Sequence, residues 1–183
     1  GRSSAARYLF VYYLTLRSIQ KGVLRNRVIY TQPYFRLLIK LAKRRNIYVV
    51  VESDCDHPKT MWELMQRRSK YLGVRPWERE PPNFFPYVID GACGINLADR
   101  VIVFSKRNAE TFLENGVSPS KLICSTPPVN FAYRSTDRIA CSRAPSFIWV
   151  GNHGIRKGID VLYEAWRSYK LLGGVGELIL CGS

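Results

Sequence analysis

Short runs of apolar and β-branched residues recur along this chain of 183 residues and alternate with longer segments whose apolar residues return at helical spacing. The clearest runs are residues 47–52, residues 99–105 and Ser146–Val150. Near-continuous apolar runs of this length are typical of strands buried on both faces of a parallel sheet. Strands that alternate with amphipathic helices predict an α/β fold with parallel sheets.

The predicted elements fall into two groups separated by a polar, irregular stretch. Residues 1–130 form the first predicted domain, residues 131–145 a linker, and residues 146–183 the start of a second domain. In the first domain we expect strands at residues 27–31, 47–52, 99–105 and 121–125, and helices from Pro33, over 59–72, over 86–98 and after the cap residue Ser105. In the second we expect strand Ser146–Val150, a helix over 158–169 and strand Glu177–Cys181.

The charge balance indicates a partner that carries phosphate. The chain has 28 Lys and Arg against 14 Asp and Glu, a formal net charge of +14. Nucleic acid, anionic lipid and a nucleotide-bearing substrate all fit this balance, and so does a merely basic surface. Arg17, Lys21 and Arg25 follow one another at four-residue intervals on the predicted first helix. That stripe fits either a solvated helix face or contact with a membrane surface.

Five cysteines are scattered along the chain, without a C-x-x-C pair. An odd, unpaired set argues against a disulfide scaffold and against a structural zinc site. The simplest interpretation is a reducing, cytoplasmic compartment. No apolar run approaches the roughly 20 residues that a membrane-spanning helix needs.

The segment from Gly151 to Gly158 combines glycines and cations at the junction between a predicted strand and a predicted helix. Ligands of open parallel sheets bind beyond the carboxyl ends of the strands. Glycines let the backbone approach such a ligand, and the first amides of the helix, with Arg156 and Lys157, supply positive charge. The segment therefore predicts a phosphate or diphosphate site, although a plain strand-to-helix turn with two exposed basic residues has the same sequence. No P-loop pattern of a nucleotide hydrolase is present.

Two stretches of the chain resemble family 4 glycosyltransferases of the GT-B fold. Residues 147–183, "FIWVGNHGIRKGIDVLYEAWRSYKLLGGVGELILCGS", are similar to the start of that family's C-terminal domain. Residues 98–130, "ADRVIVFSKRNAETFLENGVSPSKLICSTPPVN", are similar to the closing βαβ segment of its N-terminal domain. The resemblance implies two Rossmann-like domains, the first of them lacking its initial strands in this chain.

The resemblance also implies an activity: transfer of a sugar from a nucleotide-diphosphate sugar to a glycan, lipid-linked or small-molecule acceptor, with retention and without an essential metal or other cofactor. Lys157 matches the family lysine that contacts the donor diphosphate, and Gly151 and Gly158 match the flanking glycines. Asn152 stands where the family often has Arg, and Arg156 is our candidate to supply that charge. The chain ends before the family's later pair of glutamates, so we expect it to be a fragment that does not catalyse alone.

A polar loop follows the predicted strand at residues 47–52. In relatives, a polar residue near this position contacts the donor sugar or the acceptor, which makes Asp54, Asp56 and His57 candidate catalytic residues. The sequence does not show which of the three residues faces the cleft. A solvated loop closed by an Asx-turn fits the same residues.

Two other functions fit parts of the sequence. A nucleic-acid-binding α/β protein fits the charge and the aromatic and basic residues of the region 59–86, but we recognise no binding module and expect no nucleic-acid partner. A non-catalytic GT-B-like scaffold also fits. The region 59–86 could cover an acceptor, contact a membrane at its cytoplasmic face or simply pack.

Overall fold

The computed structural model describes residues 12–23, 27–75, 84–127 and 145–182. They form an α/β fold in which every strand pairing is parallel. In chain order the elements are helix α1 (residues 12–20), β1 (Val28–Thr31), α2 (Arg36–Arg44), β2 (Tyr48–Ser53), α3 (Pro58–Leu72), α4 (Phe84–Leu97), β3 (Arg100–Val103), α5 (Lys106–Glu114), β4 (Leu122–Cys124), β5 (Ser146–Val150), α6 (Ile159–Leu171) and β6 (Glu177–Cys181). Short 3-10 turns precede β4 and α6.

The predicted strands and the helices after the first are confirmed, with boundaries that shift by up to three residues. The first helix ends at residue 20, so Lys21 lies in the turn after it, and Arg25 lies outside the described residues. The largest shift is at α2, which begins at Arg36 rather than at Pro33 because the backbone N–H of Phe35 first closes a turn on the carbonyl of Gln32. The predicted linker, residues 131–145, lies outside the described residues except for Pro145.

The chain divides into two compact units. The first comprises Gly1–Glu63 and Phe85–Pro127, and the second comprises Leu64–Phe84 and Pro128–Ser183. The first unit holds a four-stranded sheet in the order β1-β2-β3-β4, and the second holds the pair β5-β6. The four-stranded parallel sheet with its helices is consistent with a Rossmann-like α/β fold.

In the first unit the helices of the crossovers cover one face of the sheet. Strands that follow one another in sequence order, joined by right-handed crossovers, place all connecting helices on the same side. Side chains from the inward face of β1, β2 and β3 accordingly pack with residues of α1, α2, α4 and α5 in one apolar core. Its fully buried members include Ile19, Ile39, Val49, Val51, Ile95, Val101, Val103 and Phe112.

The prediction that the strand at residues 47–52 is buried on both faces of the sheet was wrong. Val49, Val51 and Ser53 of β2 are buried, but Val50 and Glu52 are half-buried and Tyr48 is 41% exposed. The reason is topological, because the consecutive strand order leaves the second sheet face without a crossover helix. An apolar run does not reveal this order.

Helix α4 packs closely against the loop between β1 and α2 at a glycine. A Cβ at Gly94 would lie 1.8 Å from the carbonyl oxygen of Pro33, so only glycine permits this approach. Gly91 and Gly94 weaken the helix by intrinsic propensity. The structure gives the reason for Gly94, since the helix backbone packs directly on the chain there.

Helix α5 begins and ends as the sequence predicts. The hydroxyl of Ser105 accepts a hydrogen bond from the backbone N–H of Asn108 at 3.0 Å, which is an N-cap. Gly116, with φ of 81°, provides the left-handed residue after the helix.

In the second unit, α6 packs on one face of the β5-β6 pair. The Phe147 ring contacts the rings of Trp166 and Tyr169, at centroid distances of 5.6 and 5.9 Å. On the other face Ile148 and Val150 are 65% and 75% exposed. Cys55, Cys93, Cys124 and Cys181 are free thiols.

Within the described ranges, no helix is long and apolar enough to cross a membrane.

Candidate functional site

The loop that follows β2 lies at the carboxyl end of the first sheet, beside the start of α5. It holds the three residues that the sequence nominated in this unit, Asp54, Asp56 and His57. The residues differ in environment: Asp54 is exposed, Asp56 is half-buried and His57 is 5% exposed.

Tyr87 of α4 fixes the course of this loop. Its hydroxyl lies 2.8 Å from the Ser53 hydroxyl and donates a hydrogen bond to the backbone carbonyl of Asp56 at 2.5 Å. Since each hydroxyl carries a single hydrogen and Tyr87 gives its own to Asp56, the Ser53 hydrogen serves either Tyr87 or the backbone carbonyl of Cys55, which lies 3.2 Å away. Burial raises the pKa of Tyr87 strongly, and the carboxylates of the loop add to that rise. The phenol therefore stays protonated and holds the loop at all physiological pH values.

His57 closes the loop and caps helix α3. Its carbonyl accepts the backbone N–H of Met61 at 2.9 Å, and its ring Nδ1 accepts the backbone N–H of Lys59 at 3.3 Å. Its own backbone N–H donates to the Thr111 hydroxyl at 2.9 Å, and the ring packs edge-on against Phe112. Burial, with the nearby Lys59 charge, lowers the pKa of His57 to about 4. The imidazole is thus neutral at pH 7, and its Nδ1 is occupied by the helix.

Asn108 joins the two polar segments at this edge of the sheet. Its side-chain amide donates to Asp56 Oδ1 at 2.9 Å, and its side-chain oxygen accepts from the Ser105 hydroxyl at 2.8 Å. Asp56 is therefore oriented by α5, while the neighbouring Asp54 presents its carboxylate to solvent. An exposed carboxylate beside an ordered carboxylate and amide can accept and donate hydrogen bonds to a hydroxyl-rich ligand.

The second candidate site is the junction between β5 and α6. The backbone N–H of Gly151 donates to the carbonyl of Cys181 at 2.9 Å, which extends the sheet pairing by one residue. The chain then enters a 3-10 turn, Ile155–Lys157, closed by Gly158 in the left-handed conformation with φ of 69°. Only glycine takes this conformation readily.

Helix α6 starts at this glycine without a side-chain cap. Its first-turn N–H groups therefore face outward, and together with the helix dipole they favour an anion. Lys157 is exposed immediately before them, and Arg156 is half-buried in the same turn. All five residues predicted for the donor diphosphate lie in the segment between β5 and α6. Gly151 and Asn152 follow the strand, and Arg156, Lys157 and Gly158 belong to the turn before the helix.

An acidic residue also lies in the first turn of α6. Asp160 is paired with Arg68 of the same unit, and Arg68 Nη2 lies 3.6 Å from Glu164 Oε2. Arg68 thereby offsets the negative charge that Asp160 would otherwise place beside an incoming anion.

The glycines of the β5 and β6 ends allow the two strand ends to meet. A Cβ at Gly182 would lie 1.8 Å from the Gly151 carbonyl oxygen, and a Cβ at Gly151 would lie 3.3 Å from the Trp149 ring. The ring of His153 also lies against Trp149, at 5.6 Å between centroids. Its buried Nε2 has no hydrogen-bond partner among the described residues.

An apolar cavity of about 260 Å³ begins at the first turn of α6. It runs between this helix and β6, and is lined by Ile159, Asp160, Leu162, Tyr163, Leu178 and Leu180. The second unit thus has an apolar cavity next to a cationic helix start.

Sequence reasoning missed two residues of the first site. Asn108 had a local signal, because it lies three residues after the cap Ser105, in the first turn of the helix that follows a buried strand. Tyr87 had none, since its partners Ser53 and Asp56 are 34 and 31 residues away in the sequence.

In the described parts of the chain, no group of three or more His, Cys, Asp or Glu side chains is arranged to hold a metal ion.

Comparisons of the chain with models of protein families, with curated proteins and with solved structures gave no match.

Proposed function

We propose that the chain belongs to a glycosyltransferase of the GT-B type, which binds a nucleotide-diphosphate sugar and transfers the sugar to a glycan, lipid-linked or small-molecule acceptor. The observation that carries the proposal is the β5–α6 junction, where glycines, two cations and the uncapped start of a helix converge in one turn. The proposed setting is cytoplasmic, and the proposed reaction retains the sugar's configuration without a metal.

The junction suits the departure of a nucleoside diphosphate. In the transfer, the bond between the sugar's anomeric carbon and the diphosphate oxygen breaks, and a bond from that carbon to an acceptor oxygen forms. The acceptor hydroxyl loses its proton, and negative charge collects on the departing diphosphate. Fixed cations and backbone N–H groups lower the energy of that charge as it develops. Lys157 and the first turn of α6 are our candidates for this role.

The cavity beside α6 supports a ligand with an apolar part as well as an anionic part. It starts at Ile159 and Asp160, within the turn whose N–H groups would hold phosphate. Small-molecule sites are typically apolar with a few convergent polar groups. A nucleoside diphosphate has both features, while inorganic phosphate has only the second.

Asp54 is our first candidate among the polar residues of the first unit. It is exposed, whereas the side chain of Asp56 is held by Asn108 and His57 is buried as a helix cap. We propose that Asp54, oriented beside Asp56, contacts sugar hydroxyl groups of the donor or acceptor. Asp54→Asn should then weaken binding of the nucleotide sugar without changing the affinity for a nucleoside diphosphate.

The decisive experiment is calorimetric titration of the protein with UDP, GDP and ADP, together with the shift of its melting temperature. We expect one of them to bind and to raise the melting temperature. Lys157→Ala should weaken that binding at least tenfold, because a charge-assisted contact contributes about 1.5–3 kcal/mol. Lys170→Ala is the matched control, since it removes the same charge from the other end of α6.

Failure of all three nucleotides to bind would refute the proposal, and so would equal losses in the two lysine variants. Stabilisation by duplex or single-stranded nucleic acid instead, with a steep salt dependence, would favour the nucleic-acid alternative.

A further inference from the structure

The positive charge of this protein is concentrated at one end of the sequence. The first 51 residues contain 11 Lys and Arg and no Asp or Glu, while the remaining chain has 17 basic and 14 acidic residues. Most of the net charge therefore comes from the segment that includes α1, β1 and α2. The diphosphate site, which lies in the second unit, does not account for this charge.

Helix α1 presents a mixed apolar and cationic stripe to solvent. Tyr12, Leu16 and Ile19 face the core, whereas Tyr13 and Leu14 are 52% and 45% exposed. Arg17 and Lys21 are exposed at the next turns of the same outward side, and the Arg17 guanidinium lies over the Tyr13 ring at 5.4 Å. Val23, in the turn that follows, is 67% exposed.

Helix α2 repeats this composition next to α1. The two helices are neighbours, because the Tyr12 ring stacks on Phe35 at 5.3 Å, directly before α2. Leu37 is 67% exposed, and Arg44, two helical turns further on, is exposed too. Each helix therefore exposes an aliphatic side chain and cations on its outer side.

We propose that these outward stripes of α1 and α2 form a docking surface for an anionic lipid membrane. Phosphate headgroups complement the cations, Tyr13 is suited to the headgroup level, and Leu14 and Leu37 can enter the acyl boundary. Nucleic acid would use the cations and the aromatic ring, but it takes aliphatic side chains only where its bases are unstacked. The aliphatic residues thus favour lipid as the partner.

The test measures binding of the full chain, without nucleotide, to vesicles of phosphatidylcholine and to vesicles of an equimolar mixture with phosphatidylglycerol. We expect binding to the mixed vesicles only. Arg17→Ala combined with Lys21→Ala should weaken binding to the mixed vesicles ~30-fold, because the loss of each cation near the surface weakens binding about fivefold. At high salt the charges are screened, and we expect the remaining binding to depend on the apolar side chains. Leu14→Ser should weaken that remaining binding.

Arg167→Ala combined with Lys170→Ala is the matched control, since it removes two exposed cations from α6, and it should bind within about twofold of the wild type. Lys21→Ala alone, in the turn after α1, repeats the charge test if the double variant unfolds. Equal binding to both vesicles, or equal loss in stripe and control variants, would overturn the proposal. It would also be overturned if the stripe variants lost affinity for duplex DNA but not for vesicles. These outcomes are independent of nucleotide binding.

Discussion

The Nδ1 atom of His57 accepts the backbone N–H of Lys59 at 3.3 Å, so a buried imidazole caps helix α3. This bond requires the neutral ring, because a protonated imidazole has no acceptor. His57 lies between the loop that follows β2 and helix α3. Its protonation state therefore affects the stability of the candidate site.

We expect the protein to lose stability as the pH falls from about 6.5 to about 4. The pKa of His57 is about 4 in the folded chain against 6.5 as its ordinary value, so the unfolded chain binds the additional proton in that window. The free energy of unfolding should fall by on the order of 2 kcal/mol at pH 5 from this group. Urea unfolding at a series of pH values measures the slope.

His57→Asn is the matched variant for that measurement. Asparagine also caps helices but does not titrate near neutral pH. We expect its unfolding free energy to vary less with pH over the same window. An unchanged slope in this variant would show that another group is responsible.

The Tyr87 hydroxyl should matter more for stability than its size suggests. Tyr87→Phe removes the donor to the half-buried Asp56 carbonyl and one partner of the buried Ser53 hydroxyl, which keeps only the Cys55 carbonyl at 3.2 Å. We expect a loss of about 1–3 kcal/mol in the free energy of unfolding. Tyr48→Phe, at a residue that is 41% exposed, is the control and should change it by less than about 0.5 kcal/mol. Comparable effects in the two variants would contradict the role assigned to Tyr87.

Gly94 should not tolerate alanine. A methyl group there would lie 1.8 Å from the Pro33 carbonyl oxygen, which is backbone and cannot rotate away. We expect Gly94→Ala to cost about 3 kcal/mol or more in chemical unfolding, despite the better helix propensity of alanine. Gly91→Ala in the same helix meets the Pro58 ring at 3.1 Å and should be much milder. A reversed order of the two variants would be incompatible with this packing.

Asp99 should support the sheet in its ionised form. Its carboxylate accepts hydrogen bonds from the Lys43 ammonium at 2.6 and 2.7 Å and from the Val49 backbone N–H at 2.8 Å. Burial raises the pKa of Asp99, but these two donors outweigh it and hold the pKa below its ordinary value. The stability it contributes is therefore present above pH ~4 and is lost as the pH falls through the folded-state pKa.

Asp99→Asn should lower the free energy of unfolding by about 1–3 kcal/mol at neutral pH, and the difference from the wild type should shrink in acid. Asp54→Asn, at an exposed carboxylate, serves as the comparison and should leave unfolding nearly unchanged. A deficit in Asp99→Asn that persists in acid would point to packing rather than charge.

The order and type of the elements, the Ser105 cap of α5 and the glycine at the start of α6 could all be predicted from the sequence. Each depends on residues within a few positions of one another, because helix and strand periods, caps and left-handed glycines are local properties. The same holds for Gly151, Arg156 and Lys157, which lie close together in the sequence between β5 and α6 whatever the rest of the chain does.

Other features were decided only by contacts between distant parts of the chain. The strand order β1-β2-β3-β4 left one face of β2 half open, and no apolar run reveals which faces a helix will cover. Tyr87 reaches the β2 loop from a helix some thirty residues away, and the Pro33 carbonyl explains Gly94. The roles of Asp54, Asp56 and His57 separated for the same reason: neighbours in sequence acquired different burial and different partners from α3, α4 and α5.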